Sequence, residues 1–377
     1  MARELSLNDI IKMYRDPQLA KKLVKAIHAE ASKLDHTLIM HVCGTHEWTI
    51  THYGIRSLLP DNIELRAGPG CPVCITPASD IDSIVKLALE ENITITVYGD
   101  MSRAKGGEGI SLEDARSLGA DIRIVYSIQD AVKLANQERN RKFVFFGVGF
   151  DTTAPATAYM ILKGIPENLT ILSSYRYVPP AVGALLKAPD LAVDAIINPG
   201  HSSTVTGMKP YKKYFDVSKK PMVFSGFEPI DVLISILMIL KQLISNCPKM
   251  ENEYKRSVTW EGNVKAMNTI FKVFDLVEGY WRGFGIVEGS AFVFKDKFSD
   301  IDARIVYGLG EPKSSSEFVR NAKCGDVIKG KIDPVECPLY MKECTPDTPK
   351  GPPMVSVEGT CRIWAEHKVT AIFKCRI

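Results

Sequence analysis

Between residues 35 and 245 short, continuous apolar runs alternate with longer stretches whose apolar residues recur at helical spacing. The runs predict strands at Thr37 to Val42, Asn62 to Ala67, Ile93 to Tyr98, Ile122 to Tyr126, Lys142 to Val148, Leu169 to Ser174, Val193 to Ile197 and Pro221 to Phe224. Helices are expected at Ser79 to Glu91, at Ser111 to Leu118 and, buried, at Ile230 to Ile244. Residues 1–34 read as two short helices, the first capped by Asn8 and the two separated at Asp16-Pro17. Strands that alternate with helices imply parallel α/β sheets, whose ligands bind beyond the C-terminal strand ends. Most of the strands end in small residues mixed with Cys, His, Asp, Glu or Thr.

The polar break Asn136 to Arg141 reads as a boundary, after which the pattern restarts. Beyond Asn246 the composition changes. Residues 255–282 look like one long helix, residues 283–303 hold short strands at most, and Gly, Pro and Cys dominate from Arg320 onward. The expected architecture is α/β: two parallel-sheet domains, 35–140 and 141–245, facing a cleft, plus an irregular, loop-rich C-terminal domain, 246–377. Residues 1–34 are expected to form a helical segment packing on that third domain. It has little core of its own, so a bound cofactor is a plausible staple.

Length and composition fit this picture: 377 residues, 45% hydrophobic and 24% charged, are enough for two or three domains. A net charge of +3 with no Lys/Arg block gives no reason to expect nucleic acid or an acidic surface as partner. The charged N-terminus has no apolar core of signal-peptide type, and the run Ile230 to Ile244 is too short to span a bilayer, so a cytoplasmic protein is expected. Nine cysteines in such a chain do not read as a disulfide framework. Three fall within residues 43–74 and four within residues 324–361, with Cys247 and Cys375 apart. Clustering of this kind argues for metal or redox chemistry.

Cys71-Pro72-Val73-Cys74 is a Cys-x-x-Cys in a Gly/Pro turn, and Cys43-Gly44-Thr45-His46-Glu47 places a third thiol beside a base and an acid. The pair can be a reversible disulfide, can ligate zinc with Cys43 and His46, or can work with Cys43 on another metal. A helix starting just after Cys43 would lower its thiol pKa; the alternative is a small buried residue. His46 suits a general base, a ligand or a donor to one. Asp151 and His201 lie at strand ends, where helix capping and loop packing compete with a role in the cleft. The set Cys324-x12-Cys337-x6-Cys344-x16-Cys361 lacks the tight hairpins of structural zinc. Its wide, unequal spacing suits a [4Fe–4S] cluster better, with zinc and metal-free thiols as alternatives and Cys375 as a possible substitute ligand. There is no phosphate loop, and Gly283-x-Gly285-x-x-x-Gly289 has the wrong spacing for a dinucleotide, so no nucleotide site is expected.

Taken in order, Cys43-Gly44-Thr45-His46-Glu47, Gly68-Pro69-Gly70-Cys71-Pro72-Val73-Cys74, Gly149-Phe150-Asp151-Thr152-Thr153-Ala154-Pro155, Pro199-Gly200-His201, Gly226-Phe227-Glu228-Pro229 and the cysteine-rich C-terminus resemble the HypD family of hydrogenase maturation proteins. The resemblance runs over nearly the whole chain. It implies a scaffold that, with HypC, builds the Fe(CN)2CO group of [NiFe]-hydrogenase, takes cyanide from HypE with HypF upstream, and passes the product to the hydrogenase large-subunit precursor. It implies that Cys43 ligates the nascent iron, that Cys71 and Cys74 form a redox-active dithiol, and that Cys324, Cys337, Cys344 and Cys361 hold a [4Fe–4S] cluster. His46, Asp151, His201 and Glu228 would line the cleft. Two positions depart from the family pattern: Pro353 stands where many members carry a further cysteine, and Asp151 where many carry Glu. The competing readings are a freestanding iron–sulfur thiol-disulfide reductase and a zinc-stabilised binding module.

Overall fold

The computed structural model describes residues 7–90, 93–313 and 319–369. Two parallel sheets form its frame. The first has the strand order β2-β1-β7-β8-β9, with β1 at Thr37–His41, β2 at Ile63–Ala67, β7 at Ala195–Pro199, β8 at Met222–Ser225 and β9 at Met250–Asn252. The second has the order β4-β3-β5-β6, with β3 at Ile93–Val97, β4 at Asp121–Ile124, β5 at Lys142–Gly149 and β6 at Leu169–Tyr175. Every residue of β1, β3 and β7 is buried, as expected of parallel strands covered on both faces.

The chain does not divide at residues 136–141. It leaves the first sheet after β2, builds the whole second sheet, and returns at β7. Residues 136–141 are instead the connection between helix Ile128–Gln137 and β5, which pairs directly with β3. Their charges are used locally: Glu138 pairs with Arg123, and Arg141 with Asp121. Neither 35–140 nor 141–245 is therefore a self-contained unit.

Two further expectations change. Helix Pro17–Ala31 packs on helix Pro229–Ile244: Ile27 and Ala31 share a core with Val232, Leu233 and Ile236, so the N-terminal segment covers the first sheet. The expected long helix of residues 255–282 stops at Val273. Phe274–Trp281 is strand β10, paired antiparallel with β11, Gly285–Phe294. The cause is tertiary. Phe274, Phe292 and Phe294 bury into one core with Phe143, Phe145 and Ile171 of the second sheet, and Ser173 Oγ donates to the Phe292 carbonyl at 2.7 Å. Residues 246–377 are thus no single domain, since β9 and the hairpin belong to different sheets.

Residues 320–369 lie over the strand ends of the first sheet. Arg66 donates to the carbonyls of Gly330 and Lys331, and Trp364 Nε1 donates to Glu47 at 2.6 Å. They carry a small core of their own around Val327, Leu339, Met354 and Trp364. Among the described residues, no helix is long and apolar enough to cross a membrane.

Candidate metal and thiol centre

The first thiol sits where β1 ends. Cys43 takes extended backbone angles and precedes helix Gly44–His52. The turn Gly68-Pro69-Gly70 folds back onto it, through Gly68 N to His41 O at 2.9 Å and Gly44 N to Gly70 O at 3.3 Å. The approach needs glycine: a Cβ on Gly70 would lie 2.4 Å from the Cys43 Cα and N. Cys71 then opens the helical turn Pro72–Ile75 and is disulfide-bonded to Cys74. A narrow cavity has Cys43, Cys71, Cys74, Ile328, Pro353 and Glu358 in its wall.

A roomier cavity, about 170 Å³, begins at Cys43 and Glu358. His201 and Ser202 line it from the first sheet, and Phe150, Thr152 and Thr153 from the second. The cleft therefore lies at the C-terminal strand ends of both sheets, where parallel α/β folds place ligands.

The four C-terminal cysteines, Cys324, Cys337, Cys344 and Cys361, line one further cavity with Tyr340 and Pro353. A Cβ at Gly351 would come within 2.3 Å of Cys324 Sγ, so glycine makes room for that sulfur. Lys350 N donates to Cys344 Sγ at 3.3 Å. Burial, together with the other cysteines, raises the pKa of Cys344 and raises that of Cys361 strongly. Four thiols gathered on one cavity are donors of the type that thiophilic metals take. Among the described residues, no three His, Cys, Asp or Glu side chains close on a point where one ion could sit. Pro353 belongs to the walls of both the cysteine cavity and the narrow thiol cavity. Cys375 lies outside the described residues, and Cys247 is free and exposed.

The electrostatics of Cys43 differ from expectation. Burial, reinforced by Glu358, pushes its pKa up to about 11, outweighing the donors of the helix start. His46 is fully buried behind the helix, with Nε2 2.9 Å from the Gly226 carbonyl and its ring against Phe227. Burial and nearby His41 push it down to about 3, so it is neutral, and it lines neither cavity by the thiols. Asp151 is buried beneath the cleft. Its Oδ2 accepts from Val178 N at 3.1 Å and from Ser202 Oγ at 3.0 Å, while Oδ1 has no partner. It thus caps helix Val178–Lys187, and burial raises its pKa to about 7. His201 does line the cleft, stacked on Phe227 at 3.9 Å. Glu228 does not: it caps helix Pro229–Ile244 in a box with Asp231 and pairs with Arg15, both of which hold it at the helix start.

Two carboxylates were missed. Glu358 lines both thiol cavities, and its only sequence signal is its place three residues before Cys361. Glu47, visible only as the acid of its motif, is fully buried and holds together several elements. It accepts from Arg56 at 2.6 and 2.8 Å, from Thr51 at 2.6 Å and from Trp364. Burial alone would raise its pKa, but Arg56 and His41 hold it well below the usual carboxylate range.

Comparison with known proteins gives a consistent result. The family model HypD, described as "Hydrogenase formation hypA family", matches residues 18–368. A Methanocaldococcus jannaschii protein named for hydrogenase expression and formation is 45% identical over 358 residues, covering 94% of this chain and 98% of its own. Hydrogenase maturation factor HypD2 of Bradyrhizobium diazoefficiens is 38% identical, covering 92% of this chain and 94% of its own. HypD of Escherichia coli is 37% identical, covering 94% and 97%.

Proposed function

The chain belongs to the HypD family and so to hydrogenase maturation, and on that premise we propose that it is the scaffold on which, with HypC, the Fe(CN)2CO group of [NiFe]-hydrogenase is assembled, with cyanide accepted from HypE. In this reading Cys324, Cys337, Cys344 and Cys361 hold a [4Fe–4S] cluster, which supplies electrons one at a time. The wide, unequal spacing of the four cysteines and the one cavity that they share support a cluster.

The observation that carries the reading is the shared cavity of Cys43, Cys71 and Cys74, walled by Pro353 from the four-cysteine cavity. Iron is the substrate. Cys43 keeps its proton at neutral pH, and ligation of ferrous iron by this buried sulfur displaces that proton. Breaking the S–C bond of a thiocyanate on HypE takes two electrons and leaves a thiolate and cyanide. The reduced Cys71/Cys74 pair provides both electrons, releases two protons and closes its disulfide. The disulfide between them is the spent form of that pair. The cleft that opens from Cys43 is small, about 170 Å³, which limits the water that reaches the product.

The test is anaerobic purification followed by iron and sulfide analysis and infrared spectroscopy, with and without HypC. About four irons and four sulfides per chain, and cyanide and CO bands with HypC that are absent from Cys43→Ser, are expected. Cys71→Ser is expected to lose the cyanide bands while keeping the cluster. Cluster iron without those bands under any condition, together with reduction of a disulfide substrate, would favour a freestanding iron–sulfur thiol reductase. The adjacency of the disulfide to the four-cysteine cavity is what keeps that second reading in play. Zinc without iron would exclude both.

A further inference from the structure

A cavity of about 660 Å³ lies away from the thiols, between the end of β6 and the β10–β11 hairpin. That size falls within the range of small-molecule sites. Arg176, the residue after β6, reaches it from a position only 2% exposed. Its Nη1 donates to the Tyr175 carbonyl at 3.1 Å and its Nη2 to the Tyr280 carbonyl at 3.0 Å, while Nε has no partner.

Arg176 has no ion-pair partner among the described residues. Asp80, fully buried, is already committed: one oxygen pairs with Arg304 at 2.7 Å and the other accepts from Ser174 at 2.9 Å. Arg304 thus has the carboxylate of Asp80, with Asp302 nearby, while Arg176, which also lines the cavity, has no carboxylate of its own. An unneutralised buried charge is costly, and proteins place a counterion beside it. At the exposed rim Lys313 stands with Glu278 and Glu311, where water screens all three. Ile286, Ala291 and Phe292 supply an apolar wall.

We propose that this cavity binds a small organic anion, with a carboxylate or phosphoryl group on Arg176 and Arg304 and an apolar body against the hairpin. The site is independent of the thiol centre and of the function proposed for it. Arginine suits both anions because it carries five N–H donors, of which Arg176 has given two to carbonyls.

The test uses the full-length protein with three probes: inorganic phosphate, phenyl phosphate and benzoate, followed by calorimetry and thermal shift. Saturable binding of phenyl phosphate or benzoate is expected, tighter than that of inorganic phosphate, and weakened tenfold or more by Arg176→Met and by Lys313→Glu. Preference between the two aromatic probes assigns the phosphoryl or the carboxylate chemistry. Lys313 is exposed, so its variant remains decisive should Arg176→Met fail to fold. No saturable binding of any probe, or binding unchanged in Lys313→Glu, would overturn the proposal.

Discussion

Asp151 shows at the scale of one residue how position sets chemistry. Buried, with one oxygen held by Val178 N and Ser202 and the other unpartnered, it has a folded pKa of about 7 against an ordinary 3.8. Between those values the folded chain keeps a proton that the unfolded chain has lost. Its contribution to stability is therefore fully present below pH 3.8 and is lost as the pH rises through 7. Asp151→Asn removes that dependence. The variant is expected to gain on the wild type by on the order of 3 kcal/mol between mildly acidic and mildly alkaline pH, measured by urea titration at each. Parallel pH profiles for the two proteins would refute this. That the cysteines gather in space was legible because they cluster along the chain, within residues 43–74 and 324–361. Glu228 was misread because a carboxylate at a strand end looks alike whether it faces a cleft or caps the next helix; Arg15, 213 residues away, decides the matter.

At the scale of elements, the turn that carries the disulfide is fastened to the end of β1 by contact between backbones. A methyl group on Gly70 has no room beside Cys43. Gly70→Ala is expected to cost about 1–3 kcal/mol and to raise the alkylation rate of Cys43, read by mass spectrometry on the folded protein, as the turn lifts away. An unchanged rate would mean that the turn does not shield the sulfur. Strands with continuous apolar runs were readable, and the structure places β1, β2, β3 and β5 within a residue or two of expectation. Phe274–Trp281 was not, because its apolar spacing serves a helix as well as a strand. What selects the strand is the aromatic core it shares with β5 and β6.

At the scale of the molecule, each sheet needs a different part of the chain from the one its sequence neighbours suggest. β1 lies between β2 and β7, so a fragment ending at residue 140 leaves one edge of β1 bare. Such a fragment, residues 35–140, is expected to unfold without a cooperative thermal transition and to be digested rapidly by protease, whereas the full chain resists. A cooperative transition in the fragment would refute the pairing. Periodicity gives the strands but not their order, since a parallel crossover can return to a neighbouring strand or leave for another sheet. The double passage also has a bearing on biosynthesis. A ribosome has released Cys43, Cys71 and Cys74 long before β7 and β8 emerge to complete the sheet that shelters them. During that interval the three thiols stand open to solvent, so any pairing among them that forms then precedes the fold that later sets Cys71 against Cys74 and Cys43 apart.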